Sequence, residues 1–294
     1  MNASLLTALL PSWRLAMEGN KSPGTITTYT YAVTVYLEWC ERLERPALDR
    51  DSLRAWIADM LGSLSASTAR IRQQAVKSYA AWLHEEGEID ANPFTGVAPP
   101  KLSAKVTEAL RDDQVAAMIK ACKGTSLADR RDEALVRFMA ETGTRAQETV
   151  GILLAETDLA ARRTIVRKGK GRKERVVPFS RECAEAIDRY LRMRRRLNMA
   201  MEGPLWVGVG GKSFGYYGLR KTLQQRAESA SVPNFHLHLM RHTAATRWLR
   251  QGGSEGGLMA IAGWDQRSML DRYTRASATD RALSEAQTLS LGAF

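Results

Sequence analysis

The stretch FHLHLMRHTAATRW, residues 235–248, gathers three of the chain's four histidines around one arginine. His236, His238 and His242 flank Arg241. On a helix, His238 and Arg241 stand three positions apart and face the same way. Further on, within SMLDRYTR, a single tyrosine, Tyr273, sits among basic neighbours. Guanidinium, imidazole and phenol are the groups needed for nucleophilic attack on a phosphate ester. The remainder of such a reaction asks for a proton donor to the leaving oxygen and for surfaces that hold a polyanion.

Composition is compatible with that partner. The 294 residues carry 43 Lys and Arg against 32 Asp and Glu, a net charge of +11. Such a surplus favours a polyanion through counterion release. A hydrophobic fraction of 44% excludes a disordered chain and supports more than one ordinary core. Cys40, Cys122 and Cys183 are scattered and odd in number, as expected of reduced thiols in a cytoplasmic, DNA-associated protein. Asn20, Glu18 and Arg14 interrupt the first twenty residues, so no secretory leader is expected, and no run is long enough to span a membrane. The histidine trio lacks a nearby Cys or acidic residue to complete a zinc site, so no metal is expected.

Working back from the histidine stretch, the Gly208–Gly215 loop lacks the strand-to-helix glycine spacing of a nucleotide-binding fingerprint. Residues 181–197 read as a helix ending in Arg192, Arg194, Arg195 and Arg196, cations suited either to the helix dipole or to phosphate. Before it, TIV and RVVPF are two β-prone runs separated by RKGKGRKE, a hairpin with Gly169 and Gly171 at its turn. Residues 162–175 hold eight basic residues against one acidic. That tip is a phosphate or minor-groove probe, with Lys170 free to extend between two glycines. Lys168, Arg172 and Lys173 supply either specific contacts or general attraction.

Upstream again, a helix is expected over Arg131–Ala140, stopping at Thr142-Gly143-Thr144, and Arg145 follows at once. Glu148 to Leu154 resumes a helical pattern, and Leu110 to Gln114 opens this second domain. The prolines and glycine of NPFTGVAPPKLSAK, residues 92–105, predict an extended linker, with the boundary at about 95–106. The first domain, residues 1–98, reads as a short helical bundle. One helix runs over 22–39 and is capped at Ser22; a second is capped by Asp49 or Asp51; a third runs from Ser65 to His84. On the third, Arg70, Arg72, Gln73 and Lys77 occupy the faces not needed for burial and suit the DNA backbone or plain solvent.

Cutting a phosphodiester needs multi-donor cations on the nonbridging oxygens, an in-line nucleophile and a proton for the departing oxygen. Tyr273 can attack, Arg145 and Arg241 can clamp, and Lys170 can protonate. His238 can take the tyrosine proton or bond the phosphate. At this point the chain resembles the tyrosine recombinase, or phage integrase, family, in particular its compact members without a separate arm-binding domain. The similarity rests on TGTRAQE (Arg145, Glu148), GKGRKERVVP (Lys170), HLMRHTAATRWL (His238, Arg241, His242) and AGWDQRSMLDRYTR (Trp264, Tyr273), four boxes in order. Trp264 stands where many relatives have histidine; its indole can donate or brace but cannot shuttle a proton, which moves any base duty to His238.

The resemblance implies a mainly α fold. A helical, SAM-like core-binding domain would precede a predominantly helical catalytic domain, residues 107–294, with a small β-sheet. It implies strand exchange through a 3′-phosphotyrosyl intermediate without ATP or metal, on double-stranded core sites held by four protomers. A C-terminal tail bearing Leu283, Ala286, Leu289, Leu291 and Phe294 would pack on its own domain or on a neighbour. Integration of a phage or mobile element, with room for a directionality factor, is the preferred setting. The alternatives are Xer-like dimer resolution, a type IB-like topoisomerase and a noncatalytic DNA-binding regulator.

Overall fold

The computed structural model describes residues 3–102, 109–168, 172–271, 273 and 286. The side chains of Lys168, Arg172 and Lys173, together with Lys170 and most of the tail, lie outside the described part. The chain divides into two compact units, Met1–Lys105 and Val106–Phe294. Over the described residues it is mainly helical with one small antiparallel sheet, as expected from the sequence.

Among its described residues the first unit holds four helices: α1 (Ala3–Glu18), α2 (Pro23–Arg42), α3 (Arg50–Ser63) and α4 (Ala66–Glu85). Three of them start where a side-chain oxygen takes up a free backbone donor. Ser22 accepts from the Thr25 amide, Asp49 from Ser52 and Ser65 from Thr68. Helix α2 wins over its many threonines and valines because Ile26, Val33, Tyr36, Leu37 and Cys40 turn one face inward. The α1 helix was not read from the sequence; Leu6, Leu10, Trp13 and Met17 carry it into the core despite Pro11 inside it.

Two polar expectations on α4 need correcting. Gln73 is buried and donates to the carbonyls of Val97 and Ala98. Lys77 is half-buried and its Nζ donates to Val97 O at 3.0 Å. Both close carbonyls left open by the proline-rich segment, whose first part folds back on the unit through buried Phe94 and Val97. Arg70 remains exposed, and Arg72 lies over the Tyr31 ring.

The second unit contains α5 (Asp112–Ala121), α6 (Leu127–Thr142), the short α7 (Ala146–Val150), strands β1 (Thr157–Asp158), β2 (Arg163–Lys168) and β3 (Arg172–Pro178), then α8 (Arg181–Arg196), α9 (Tyr216–Ser229), α10 (Leu237–Arg250) and α11 (Glu255–Ala262). The helix expected to reach Leu154 stops at Gly151, because α7 closes after one turn and a 3-10 turn follows at Leu154–Glu156. The sheet order is β1-β2-β3, with Thr164 opposite Val177, Val166 opposite Arg175 and an irregularity between Val166 and Lys168. Pleating sends Thr164, Val166 and Val177 into the core and leaves Glu174 and Val176 outside.

Helix α6 is the buried spine, packed on α8 and α10. Its Asp132 carboxylate accepts from Arg131 and from Arg226 of α9, so no buried charge is left uncompensated there. Arg194, expected at the dipole or on phosphate, is instead buried and donates to Pro204 and Leu205 carbonyls, pinning the loop after α8.

Candidate active site

The site is built where α6 ends. Gly143 takes the left-handed conformation (φ 60°, ψ 20°) that closes α6, and a Cβ there would meet the Ala244 Cβ at 3.0 Å. Only glycine lets α10 come this close, and the approach brings Arg241 to the same corner. The Arg241 Nη1 donates to Gly143 O and its Nη2 to Ala262 O, both at 2.8 Å. The side chain is thus tied at once to the end of α6 and the end of α11.

Arg145 follows immediately as the N-cap of α7. Its backbone amide donates to Glu148 Oε2 and its Nη1 to Glu148 Oε1, each at 3.0 Å. The Arg145 side chain keeps 38% of its surface exposed, so an anion can reach it, while Glu148 beneath it keeps 9%. A third arginine, Arg175 of β3, closes the group: its Nη1 and Nη2 bond Glu148 at 3.2 and 2.7 Å, and its Nε bonds Ile261 O at 2.6 Å.

The charges respond as this geometry requires. Burial pushes the Glu148 carboxyl up, yet the bonds from Arg175 and from the Arg145 amide outweigh it and hold the group at about 2. Burial, ahead of repulsion from Arg145, pulls Arg241 down to about 10, so it remains charged at neutral pH. Arg145 and Arg175 both bond the one carboxylate, and Arg241 feels its charge while bonding only backbone carbonyls, which leaves an excess of positive charge that an incoming phosphate would neutralise.

The second wall is aromatic. Trp264 and Tyr273 stack with centroids 5.1 Å apart and planes 19° apart. The Arg241 Cζ lies 5.2 Å from the centre of the Trp264 ring. His242 packs on the Tyr273 ring at 5.1 Å, and His238 touches His242 at 4.8 Å. Tyr273 is only 9% exposed and belongs to a small core with Ala245, Leu249, Leu258, Ala262 and Leu270.

The structure therefore brings together Arg145, Glu148, His238, Arg241, His242, Trp264 and Tyr273. The imidazole against the phenol is that of His242, with exposed His238 one ring further out. Lys170 lies outside the described residues. His236 is the exposed N-cap residue of α10 and makes no side-chain cap bond. Arg175 was missed because the hairpin's positive charge drew attention to its tip. The signal was present in the alternation of RVVPF, which puts Arg175 on the inward face with Val177 and Phe179.

Elsewhere, in the first unit, a cleft of about 780 Å³ is lined by residues including Ser22, Thr25, Thr28, Arg70, Gln74 and Lys77. Among the described residues no group of three or more His, Cys, Asp or Glu could hold a metal ion, and no helix is long and apolar enough to cross a membrane.

Comparison with known proteins adds the following. Residues 108–280 match the phage integrase family, and residues 13–87 match the family's N-terminal SAM-like domain. The chain is 29% identical over 265 residues to a tyrosine recombinase XerC of Pseudomonas fluorescens, covering 88% of each. It is 30% identical over 233 residues to a tyrosine recombinase XerC of Corynebacterium efficiens, covering 77% of this chain and 73% of the relative. Among solved structures it is similar to the Tn1549 transposon integrase in complex with transposon right end DNA (TM-score 0.76, 17% identity, 99% and 100% of the two chains). A second is the XerH site-specific recombinase bound to its difH substrate (TM-score 0.69, 18% identity, 94% and 84%). At those identities the structural likeness concerns the fold alone.

Proposed function

The chain belongs to the phage integrase family and is a tyrosine-type site-specific DNA recombinase, and from that premise we propose that Tyr273 is its nucleophile. The observation that supports this most is the stacking of Tyr273 on Trp264, beside an Arg241 whose charge is felt by Arg145 and Glu148. A phenol at the edge of a guanidinium cluster has its target phosphate drawn to it.

In this reading Arg145 and Arg241 hold the nonbridging oxygens and stabilise the charge that grows on them. The Tyr273 oxygen attacks phosphorus, and its proton passes to the His238–His242 pair. The bond from phosphorus to the 5′ oxygen breaks, and that oxygen receives a proton from Lys170. The product is a 3′-phosphotyrosyl link and a 5′-hydroxyl. A 5′-hydroxyl of a second strand then attacks the same phosphorus, and the phenol leaves. One phosphodiester is exchanged for another, so no external energy source enters the balance.

The first unit would hold the core site on double-stranded DNA, with Arg70 and Arg72 toward the backbone and the Ser22–Arg70 cleft close by. Self-association, with four protomers on two duplexes, would carry the two rounds of exchange. Of the biological settings, Xer-like dimer resolution now stands ahead of phage integration, because the named relatives at 29% and 30% identity are XerC recombinases.

The test uses a core site selected by this protein from random-sequence duplexes, placed in duplexes nicked at successive positions so that a cut fragment diffuses away. Tyr273→Phe should bind the site as wild type does and form no covalent adduct. Adduct at the wild-type level from Tyr273→Phe would remove the nucleophile assignment. Relaxation of a supercoiled plasmid lacking the site, at the same rate as one carrying it, would favour the topoisomerase instead.

A further inference from the structure

Arg175 is a charged side chain on an inward strand face, 9% exposed and flanked on that face by Val177 and Phe179. A guanidinium is buried at a cost unless its donors are met, and here they are met in three directions. Two donors go to the two oxygens of Glu148 and one to the carbonyl of Ile261. Glu148 accepts from the backbone and side chain of Arg145. The residue after Ile261 is Ala262, whose carbonyl accepts from Arg241. One planar group thus touches the carboxylate beneath Arg145 and the chain segment that holds Arg241. It also sits on β3, the strand that follows Lys170 in the sequence.

We infer that Arg175 is a positioning residue for strand cleavage: its guanidinium fixes the Glu148 carboxylate under Arg145 and sets β3 against the end of α11, so that both phosphate-binding arginines are oriented before DNA arrives. This rests on the proposed cleavage by Tyr273. Arg175 is not itself a phosphate ligand, since its donors point into the protein and its surface is closed. Lysine cannot replace it, because an ammonium lacks the planar fork that meets two carboxylate oxygens and a carbonyl together.

The consequence is specific. Arg145, Arg175 and Arg241 are the charged groups that face Glu148 from α7, β3 and α10, with Tyr273 close by. Without Arg175, burial of Glu148 is opposed only by the Arg145 bonds and the charge of Arg241, so the carboxyl becomes easier to protonate as pH falls and loses its hold on Arg145.

The experiment measures single-turnover adduct formation on the selected, nicked duplexes at pH 5 to 8. It compares wild type, Arg175→Met, Arg175→Lys, Glu148→Gln and the Arg175→Met/Glu148→Gln double variant, with DNA binding and melting temperature followed in parallel. Arg175→Met should bind DNA within about 3-fold of wild type and form adduct roughly 10- to 100-fold more slowly. Arg175→Lys should recover only part of that loss. The double variant should be no slower than the slower single, because both act through one carboxylate. The ratio of Arg175→Met to wild-type rate should fall as pH is lowered, and that fall should vanish in the Glu148→Gln background.

Single effects that multiply, a wild-type rate in Arg175→Met, or a rate ratio independent of pH would each overturn the assignment. Should Arg175→Met fail to fold, the same cycle with Arg175→Lys decides by the same criteria. Absence of any adduct from wild type would remove the Tyr273 reading first and the Arg175 role with it, an outcome distinct from normal cleavage by the variants.

Discussion

Glu148 is where the residue-scale chemistry can be read without DNA. Its carboxyl titrates at about 2 instead of 4.5, so the folded state holds the charged form more strongly than the unfolded chain does. A depressed carboxylate contributes stability that is present above the unfolded value and lost as pH falls through the folded one. The shift corresponds to roughly 3 kcal/mol, on the order of a strong buried ion pair. Glu148→Gln should therefore lower the melting temperature at pH 7 and flatten the fall in stability between about pH 4.5 and 2. A wild-type-like fall in the Gln variant would place the acid-sensitive group elsewhere. Arg145, Glu148, His238, Arg241 and His242 were all legible because each stands inside a short motif. Arg175 was not, since a cation in a cationic hairpin carries no mark until the strand's inward face is known. Gln73 and Lys77 were hidden for a related reason: the carbonyls they serve belong to a segment 20 to 25 residues away.

Among the elements, the turn between α6 and α7 does most to position the site. Gly143→Ala would force an L residue into the left-handed region and press its Cβ against Ala244. We expect a loss of roughly 1–3 kcal/mol in unfolding free energy. A fall in adduct formation should accompany it, since Gly143 O anchors Arg241. Unchanged urea midpoints would contradict that account of the turn. Capped helices such as α2, α3 and α4 were readable because their starts are written in Ser and Asp, and the β2–β3 pair because two β-prone runs stand close together in the sequence. Helix α1 was not legible because Pro11 interrupts the helical spacing of Leu6, Leu10, Trp13 and Met17. Helix α9 has no side-chain cap at Gly215, so its start carries no local signal. The helix drawn through Leu154 overran because apolar periodicity alone cannot register the stop at Gly151.

For the whole molecule, the +11 charge and the two-unit chain fit a protein that works on DNA, and the family places its chemistry. The choice between dimer resolution and integration belongs at this scale, because it depends on which pairs of sites are exchanged. A plasmid carrying two directly repeated copies of the selected site should be resolved into two circles, and Tyr273→Phe should leave it intact. Recombination confined to two dissimilar sites would return integration to the front. The central claim is narrower: one phenolic oxygen becomes bonded to phosphorus. Mass spectrometry of the trapped adduct after nuclease and protease digestion tests it most directly. The nucleotide-bearing peptide should carry its modification on Tyr273; a nucleotide on any other residue, in wild type, would remove the phenol from the chemistry.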